Sequence, residues 1–391
     1  MMKVLWLTSW YPNDLDKWNG DFIQRQAHAA ALYGNITVIH VEADAQGLLQ
    51  EPLVKKTSSD GNLTETIVLF KPVRSKIAGK VFNLQRYTKH FKAQVEKYIE
   101  ENGPPDIVHV HVAMKAGIIA LWIKKKYKIP YVVTEHWTIY QNNSEDAYAD
   151  RSAIFKKYTR DIFKNASLVL PVSENLGELI SNSVTPVSYK RVFNVVDTEH
   201  FRYDGFREER PFTFIHVSSL NEQKNPDAII ESFVSFHRTY PRSRLIMVGE
   251  VQGDLFQNIL QLNLSANAIQ FTGMLPYEEV ARLMRNSDAF VLFSLYENMP
   301  CVVLEALCCG LPVITSDVGG LKEAINQENG ILVRNYATSA LTEAMINLYI
   351  SYLQFNRQKI SSDARSKFSY EMIGKEINDA YEEVLKKSSE K

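Results

Sequence analysis

An α/β protein of two doubly wound domains is what this sequence predicts, and three observations carry the prediction. Short apolar runs rich in β-formers alternate with helical segments through both halves of the chain. At 391 residues the chain is long for a single hydrophobic core. A charged, irregular segment, Phe193 to Pro211 (FNVVDTEHFRYDGFREERP), separates the two alternating series. The expected boundaries are 1–195 for the first domain, 196–210 for a hinge, 211–370 for the second domain, and 371–391 for a C-terminal helix and tail.

In the first half, Val4 to Thr8 reads as a strand. The loop SWYPNDLDKWNGD follows, punctuated by Pro12 and Gly20, and Phe22 to Leu32 reads as a helix. A long loop between a first strand and its helix is usually functional in this architecture. Gly20 is either a plain turn or a place where a ligand approaches the backbone. Ile36 to Val41 is the second strand, Asp44 to Thr66 is expected to be irregular, and Thr66 to Phe70 is a third strand. From Lys76 to Glu100, basic residues (Lys80, Arg86, Lys89, Lys92, Lys97) alternate with Phe82, Leu84, Tyr87, Phe91, Val95 and Tyr98 on a helix. This is either an ordinary amphipathic surface helix or a face for anionic lipid. Lys124 to Lys126 with Lys128 form a second basic spot. Further strands run from Pro105 to His111, Tyr131 to Thr134 and Leu168 to Val172. His136 lies just past one of them, on the side where ligands bind such sheets, although a lone histidine is more often structural. Ser173 is a good N-cap for the next helix.

In the second half, Phe212 to Val217 is a strand, and the loop SSLNEQKNP leads to a helix over Asp227 to His237. Lys224 stands where a strand end meets a helix mouth, as a phosphate ligand or as a solvated loop lysine. Leu245 to Val248 ends at Gly249, with Gly253 close behind. That is not the G-x-G-x-x-G of dinucleotide binding, and no such pattern follows the first strand, which argues against a dehydrogenase. Ile269 to Gly273 is a strand, and Pro276 opens a helix over Tyr277 to Asn286. The stretch SLYENMPCVVLEALCCGLPVITSDVGG (Ser294 to Gly320) is then one βαβ unit. The strand Ala289 to Phe293 precedes it, Pro300 opens a helix over Cys301 to Cys309, Gly310 stops that helix, and Leu311 to Thr315 restarts a strand. Glu297 sits in the loop, and Glu305 sits on an apolar helix between Leu304 and Ala306, where a carboxylate needs a partner. Either the two grip hydroxyls on both sides of a phosphate held at the helix mouth, or they are a loop charge and a helix-face charge. Helices at Leu321 to Ile325, Thr338 to Tyr352 and Tyr370 to Lys387, with a strand at Ile331 to Val333, complete the half.

Composition bounds the rest. With 45% hydrophobic and 23% charged residues, the chain reads as a folded soluble protein. A net charge of -1 gives no footing for general nucleic-acid binding. Three cysteines, with Cys308 and Cys309 adjacent, point to reduced thiols and a cytoplasmic setting, and no Cys/His spacing suggests a metal. The N-terminal apolar run is too short for a signal-peptide core. The longest apolar segments, such as Ala116 to Ile123, fall short of the roughly 20 residues a membrane span needs, so any membrane contact is expected to be peripheral, at the inner face.

Taken in order, these segments resemble the retaining glycosyltransferases of family 4, which have the GT-B fold. The match covers most of the chain. Its strongest part, ENMPCVVLEALCCGLPVITSDVGGLKEAINQENGILV, is similar to that family's E-x7-E signature with its G-x-P-V strand, GG turn and N-G strand. SWYPNDLDKWNGDFIQRQA resembles the N-terminal glycine loop, TEH (134–136) the histidine segment and NVVDTEHF the interdomain segment. SSLNEQKN resembles the lysine loop, VGEVQG the glycine loop near the base, and FTGMLPYEEV the base-contacting strand end.

The resemblance implies two Rossmann-like domains facing a deep cleft, with the C-terminal helix packing back on the first. It implies metal-independent, cofactor-free sugar transfer from a UDP- or GDP-type nucleotide sugar, with retention, to a glycan or lipid-linked acceptor in cell-surface polysaccharide synthesis. By the same resemblance Glu305 holds the ribose hydroxyls and Glu297 contacts the donor sugar. Asn298, Met299, Pro300, Cys301 and Val302 cradle phosphate and sugar oxygens through the backbone. Lys224 neutralises the leaving diphosphate, Ser218, Gly249 and Met274 line the nucleotide, and His136 and the Gly20 loop cover the donor sugar. The family's arginine in the lysine loop is absent here, where Ser219 stands in its place. Two other functions fit the fold: a nucleotide-sugar epimerase, and a non-catalytic nucleotide-sugar binding protein.

Overall fold

The computed structural model describes residues 1–75, 79–205, 210–251 and 268–390. Lys76, residues 206–209 of the expected hinge, and Gly253 lie outside them. The chain forms two compact units, one of Met1–Val195 with Tyr370–Lys391, the other of Val196–Ser369.

The first unit is built on strands β1 (Lys3–Thr8), β2 (Asn35–Ala43), β3 (Leu53–Asp60), β4 (Leu63–Phe70), β5 (Ile107–His111), β6 (Tyr131–Glu135) and β7 (Leu168–Pro171). They form one sheet in the order β3-β4-β2-β1-β5-β6-β7. All pairings are parallel except β3 with β4. The central strands are buried on both faces, which is why they read as unbroken apolar runs. The strand order reverses between β1 and β5, and Thr8 pairs with His111 at their carboxyl ends.

The expectation of irregular chain over 44–66 is corrected here. Leu53–Asp60 is an edge strand, antiparallel to β4 and exposed along nearly its whole length. A two-sided exposed edge carries no apolar alternation, so its sequence, LVKKTSSD, has no strand signal. The helices Ala153–Asn165 and Arg357–Phe368 had no counterpart in the sequence reading.

The Gly79–Asn102 helix resolves the mixture of aromatic and basic residues. Tyr87, Phe91, Val95 and Tyr98 recur every three or four residues on the buried face, while Val81 and Phe82 in the first turn are 60% and 50% exposed. The C-terminal helix, Tyr370–Ser389, packs on the Asp21–Ala31 helix. Its Tyr381 is fully buried, accepts from Trp6 Nε1 at 3.1 Å and lies 2.6 Å from His109 Nδ1.

The second unit holds β8 (Phe212–Val217), β9 (Ser243–Val248), β10 (Ile269–Phe271), β11 (Ala289–Leu292), β12 (Val313–Ser316) and β13 (Gly330–Val333). The sheet is parallel, in the order β10-β9-β8-β11-β12-β13. Phe214, Phe233, Phe236, Leu245, Val291 and Met345 belong to its core. The order reverses between β8 and β11, so the loops after these two strands flank the natural ligand crevice of the unit. Among the described residues, no helix is long and apolar enough to cross a membrane.

Candidate active site

The loops after β8 and β11 meet. The Lys224 ammonium is paired with the Glu297 carboxylate, and their side chains are 17% and 5% exposed. Gln223, beside Lys224, fastens the two loops. Its side-chain amide donates to the Tyr296 carbonyl at 2.8 Å, and its own carbonyl accepts from Leu295 N at 2.8 Å. Below them, the His216 ring on β8 spans the strand reversal, with Nδ1 2.8 Å from the Val291 carbonyl and Nε2 2.6 Å from Ser218 Oγ. Burial lowers the His216 pKa to about 4, so the ring stays neutral and works as a fixed strut. Ser218 Oγ also accepts from Leu220 N, shaping the turn that leads to Lys224.

The helix after β11, Cys301–Cys308, begins without a side-chain cap, and Pro300 occupies the N-cap position, one residue before the first turn where the sequence reading placed it. The positive end of its dipole lies at the crevice. Asn298 and Met299 are buried at this mouth, while Pro300, Cys301 and Val302 are partly exposed. The Gly319-Gly320 turn lies directly on this loop: Gly320 N donates to the Asn298 carbonyl at 2.9 Å. Gly319, at φ +54°, leaves no room for a side chain between itself and the Glu297 backbone. Inside the helix, Glu305 is 3% exposed and accepts from the Tyr277 hydroxyl at 3.1 Å, which answers the need for a partner.

Across β8, Gly249 packs so closely that a Cβ there would lie 1.9 Å from the Ser218 carbonyl oxygen. Gly249 N donates to the Gly273 carbonyl at 3.0 Å, which places Met274, 53% exposed, beside this edge of the crevice. The second unit thus gathers every site residue expected on it: Ser218, Lys224, Gly249, Met274, Glu297, the 298–302 backbone and Glu305.

Gly20 and His136 belong to the first unit. Gly20 is the N-cap of the Asp21–Ala31 helix, and the Trp10 backbone fills the space where its side chain would be. Phe22, two residues on, lies 4.7 Å from the His136 ring, so the loop and the histidine do come together. His136 is 9% exposed and stacks at 6.1 Å on His111. Burial depresses its pKa to about 3 against a hydrogen bond to the Asn194 side chain that raises it, so the imidazole is neutral. The backbone that carries it is fixed by Glu135, whose carboxylate accepts from Ala113 N, His136 N, Trp137 N and Tyr140 Oη at 2.9 to 3.2 Å. Burial drives the Glu135 carboxyl above the ordinary range, with those four bonds opposing the rise.

Gln223, His216, Tyr277, Gly319 and Glu135 escaped the sequence reading as site residues. Each acts through a partner distant in sequence or through the backbone, and only the GG dipeptide left a visible signal.

This geometry has known counterparts. Residues 197–367 match the family of glycosyl transferases group 1, and residues 57–200 match glycosyltransferase family 4. A candidate teichuronic acid biosynthesis glycosyltransferase of Bacillus subtilis, TuaC, is 26% identical over 99% of this chain and 100% of its own length. The alpha-monoglucosyldiacylglycerol synthase of Streptococcus pneumoniae is 22% identical over 72% of this chain and 67% of its own length. Among solved structures, a sucrose-phosphate synthase from Thermosynechococcus elongatus superposes with a TM-score of 0.75 at 18% identity, covering 98% of this chain and 99% of that one. HepE from Anabaena in complex with UDP gives 0.71 at 18% identity, covering 98% and 100%. With two doubly wound units and the paired glutamates at the strand reversal, the chain belongs to glycosyltransferase family 4 and is a glycosyltransferase of the GT-B fold.

Proposed function

We propose that this enzyme is retaining and metal-independent, and that it moves a sugar from a UDP- or GDP-type nucleotide sugar to a glycan or lipid-linked acceptor in cell-surface polysaccharide synthesis. The observation that carries the reading is the Lys224–Glu297 pair beside an uncapped helix N-terminus. A lysine, a row of N–H groups and a buried carboxylate within one crevice match the needs of a diphosphate leaving group and a polyhydroxyl donor. In this reading the donor separates the pair. Lys224 turns to the diphosphate, Glu297 to the sugar hydroxyls, and charge that develops on the leaving group meets donors already in place. Glu305, held by Tyr277, takes the ribose hydroxyls, and Gly249 and Met274 border the base. His136, neutral, accepts from a sugar hydroxyl. The related structures of HepE with UDP and UDP-glucose support a nucleotide-sugar donor, and TuaC supports a polysaccharide product. The exposed Val81 and Phe82 beside Lys80 give a basis for weak peripheral contact with a membrane.

The test begins with a thermal-shift screen of UDP- and GDP-sugars to find the donor. Turnover of that donor is then expected to fall about 100-fold in Glu297→Ala and in Lys224→Ala. Full activity in both variants would remove the site assignment. An isomerised nucleotide sugar would make the protein an epimerase, tight binding without turnover would make it a binding protein, and an inverted anomeric product would end the retaining reading. Loss of activity on chelation would end the metal-independent one.

A further inference from the structure

In the first unit a row of aromatic rings runs inward from the surface at the carboxyl ends of the strands. Trp10, just past β1, meets Trp137, just past β6, at 5.6 Å between ring centroids. Trp137 meets Phe155 at 6.2 Å, Phe155 meets Tyr148 at 6.4 Å, and Tyr148 meets Tyr140 at 5.8 Å. The first three are only partly buried, and Trp18, on the same loop as Trp10, is 51% exposed. Partly exposed aromatic rings offer the apolar, flat contact on which a sugar ring stacks.

The row ends in a cavity of about 270 Å³, lined by Tyr140, Gln141, Tyr148, Lys156 and Arg160 among others. The cavity thus holds two cations and several neutral hydrogen-bonding groups. Lys156 donates to the Ala149 carbonyl, which anchors its stem at the cavity wall. Arg151, paired with Asp146 at 2.7 Å, lies 5.8 Å over Trp137 and 5.7 Å over Phe155, bracing the two rings. The steps from Trp10 to Trp137 and on to Phe155 are each close to the length of one pyranose ring, so a short saccharide along these three rings would direct a charged group toward the cavity.

We propose that this row and cavity bind the acceptor, and that the acceptor is a saccharide carrying an oxyanion, a carboxylate or a phosphate, recognised by Lys156 and Arg160 while its neutral rings stack on Trp10, Trp137 and Phe155. The proposal rests on the transferase reading above for the word acceptor. The binding surface itself does not depend on it.

All five tryptophans, Trp6, Trp10, Trp18, Trp122 and Trp137, lie in the first unit, so intrinsic fluorescence reports this surface directly. The probes are trigalacturonate, its neutral methyl ester, maltotriose and glucose 1-phosphate. Trigalacturonate is expected to bind about tenfold more tightly than its methyl ester, the ordinary value of one charge-assisted contact. The double variant Lys156→Ala/Arg160→Ala is expected to erase that difference and keep the neutral affinity. Trp137→Ala is expected to weaken acid and ester alike by about tenfold, with rescue by Trp137→Phe. Competition by glucose 1-phosphate that exceeds that of trigalacturonate would assign the oxyanion to phosphate and the reverse to carboxylate, and both agree with the proposal. Equal affinity for acid and ester would overturn it, as would a charge preference that survives the double variant. The double variant changes exposed or half-exposed side chains, so it serves if Trp137→Ala fails to fold. Donor turnover without acceptor, read in the same variants, separates the two readings. Turnover present with no saccharide binding removes the acceptor surface alone; saccharide binding with no turnover of any donor removes the transferase reading alone.

Discussion

A first side-chain carbon on Gly319 would stand 1.9 Å from the carbonyl oxygen of Glu297. The turn after β12 is therefore a mould for the loop that carries Glu297, and the fit is to backbone, which cannot swing away. Gly319→Ala is expected to displace the Glu297 loop, lower donor turnover by more than about tenfold and destabilise the second unit by about 2–4 kcal/mol. Gly61 is the control. It has the same φ of +54° and nothing within 4 Å of its would-be Cβ, so Gly61→Ala is expected to cost only the conformational term, about 1 kcal/mol. Equal costs in urea melts would show that φ alone, and not contact with Glu297, matters at 319.

Tyr277 holds the carboxylate of Glu305 from another helix. Tyr277→Phe keeps the ring, which packs at 4.8 Å on Phe201, and removes only the donated bond. The KM for the donor is expected to rise roughly 5- to 10-fold with kcat nearly unchanged, the signature of lost uniform binding. A fall in kcat with KM unchanged would place Glu305 at the reacting centre instead.

The two units should respond differently to acid. Burial holds His109 and His111 well below their ordinary pKa and His136 at about 3, all in the first unit, and His216 at about 4 in the second. Their folded pKa values lie below the unfolded value, so the unfolded chain binds more protons once the pH drops below about 6.5. Stability is full above that pH and falls as pH descends toward the folded values. Three such histidines in the first unit against one in the second make the first unit the more acid-sensitive as the pH falls below about 6.5. The raised carboxyl of Glu135 works in the opposite sense and trims that difference. Melting followed by tryptophan fluorescence, which sees only the first unit, should shift further than melting followed by circular dichroism of the whole chain. An equal or smaller shift would contradict the assignment.

Tyr381→Phe is expected to destabilise the first unit by about 1–3 kcal/mol, because Trp6 Nε1 and a buried His109 nitrogen both lose their partner. Donor turnover should survive at temperatures where the variant is folded, because Tyr381 lies outside the proposed site. An unchanged melt would mean that the network adds nothing to stability.

The legibility of this chain follows its physics. Strands such as Val4 to Thr8 and Phe212 to Val217 lie in parallel sheets buried on both faces, so their sequences are continuous apolar runs and were read nearly to the residue. Glu297 and Glu305 stood out because spacing along one βαβ unit is a local property. Leu53–Asp60 did not, since an exposed edge strand needs no apolar face. Arg357–Phe368 buries only Ile360, Ser361, Ala364 and Phe368, too thin a stripe to announce a helix. Gln223 and Tyr277 were invisible for another reason. Their partners lie 73 and 28 positions away, and nothing in a pattern of neighbours encodes which loops will meet.

The hydrogen bond from Trp6 to Tyr381 joins residues 375 positions apart. During synthesis, β1 waits for the Tyr370–Ser389 helix, while the whole second unit emerges in between. A chain stopped anywhere before Tyr370 therefore leaves the sheet of the first unit open on one side and carries an apolar scar over Trp6 and the Asp21–Ala31 helix.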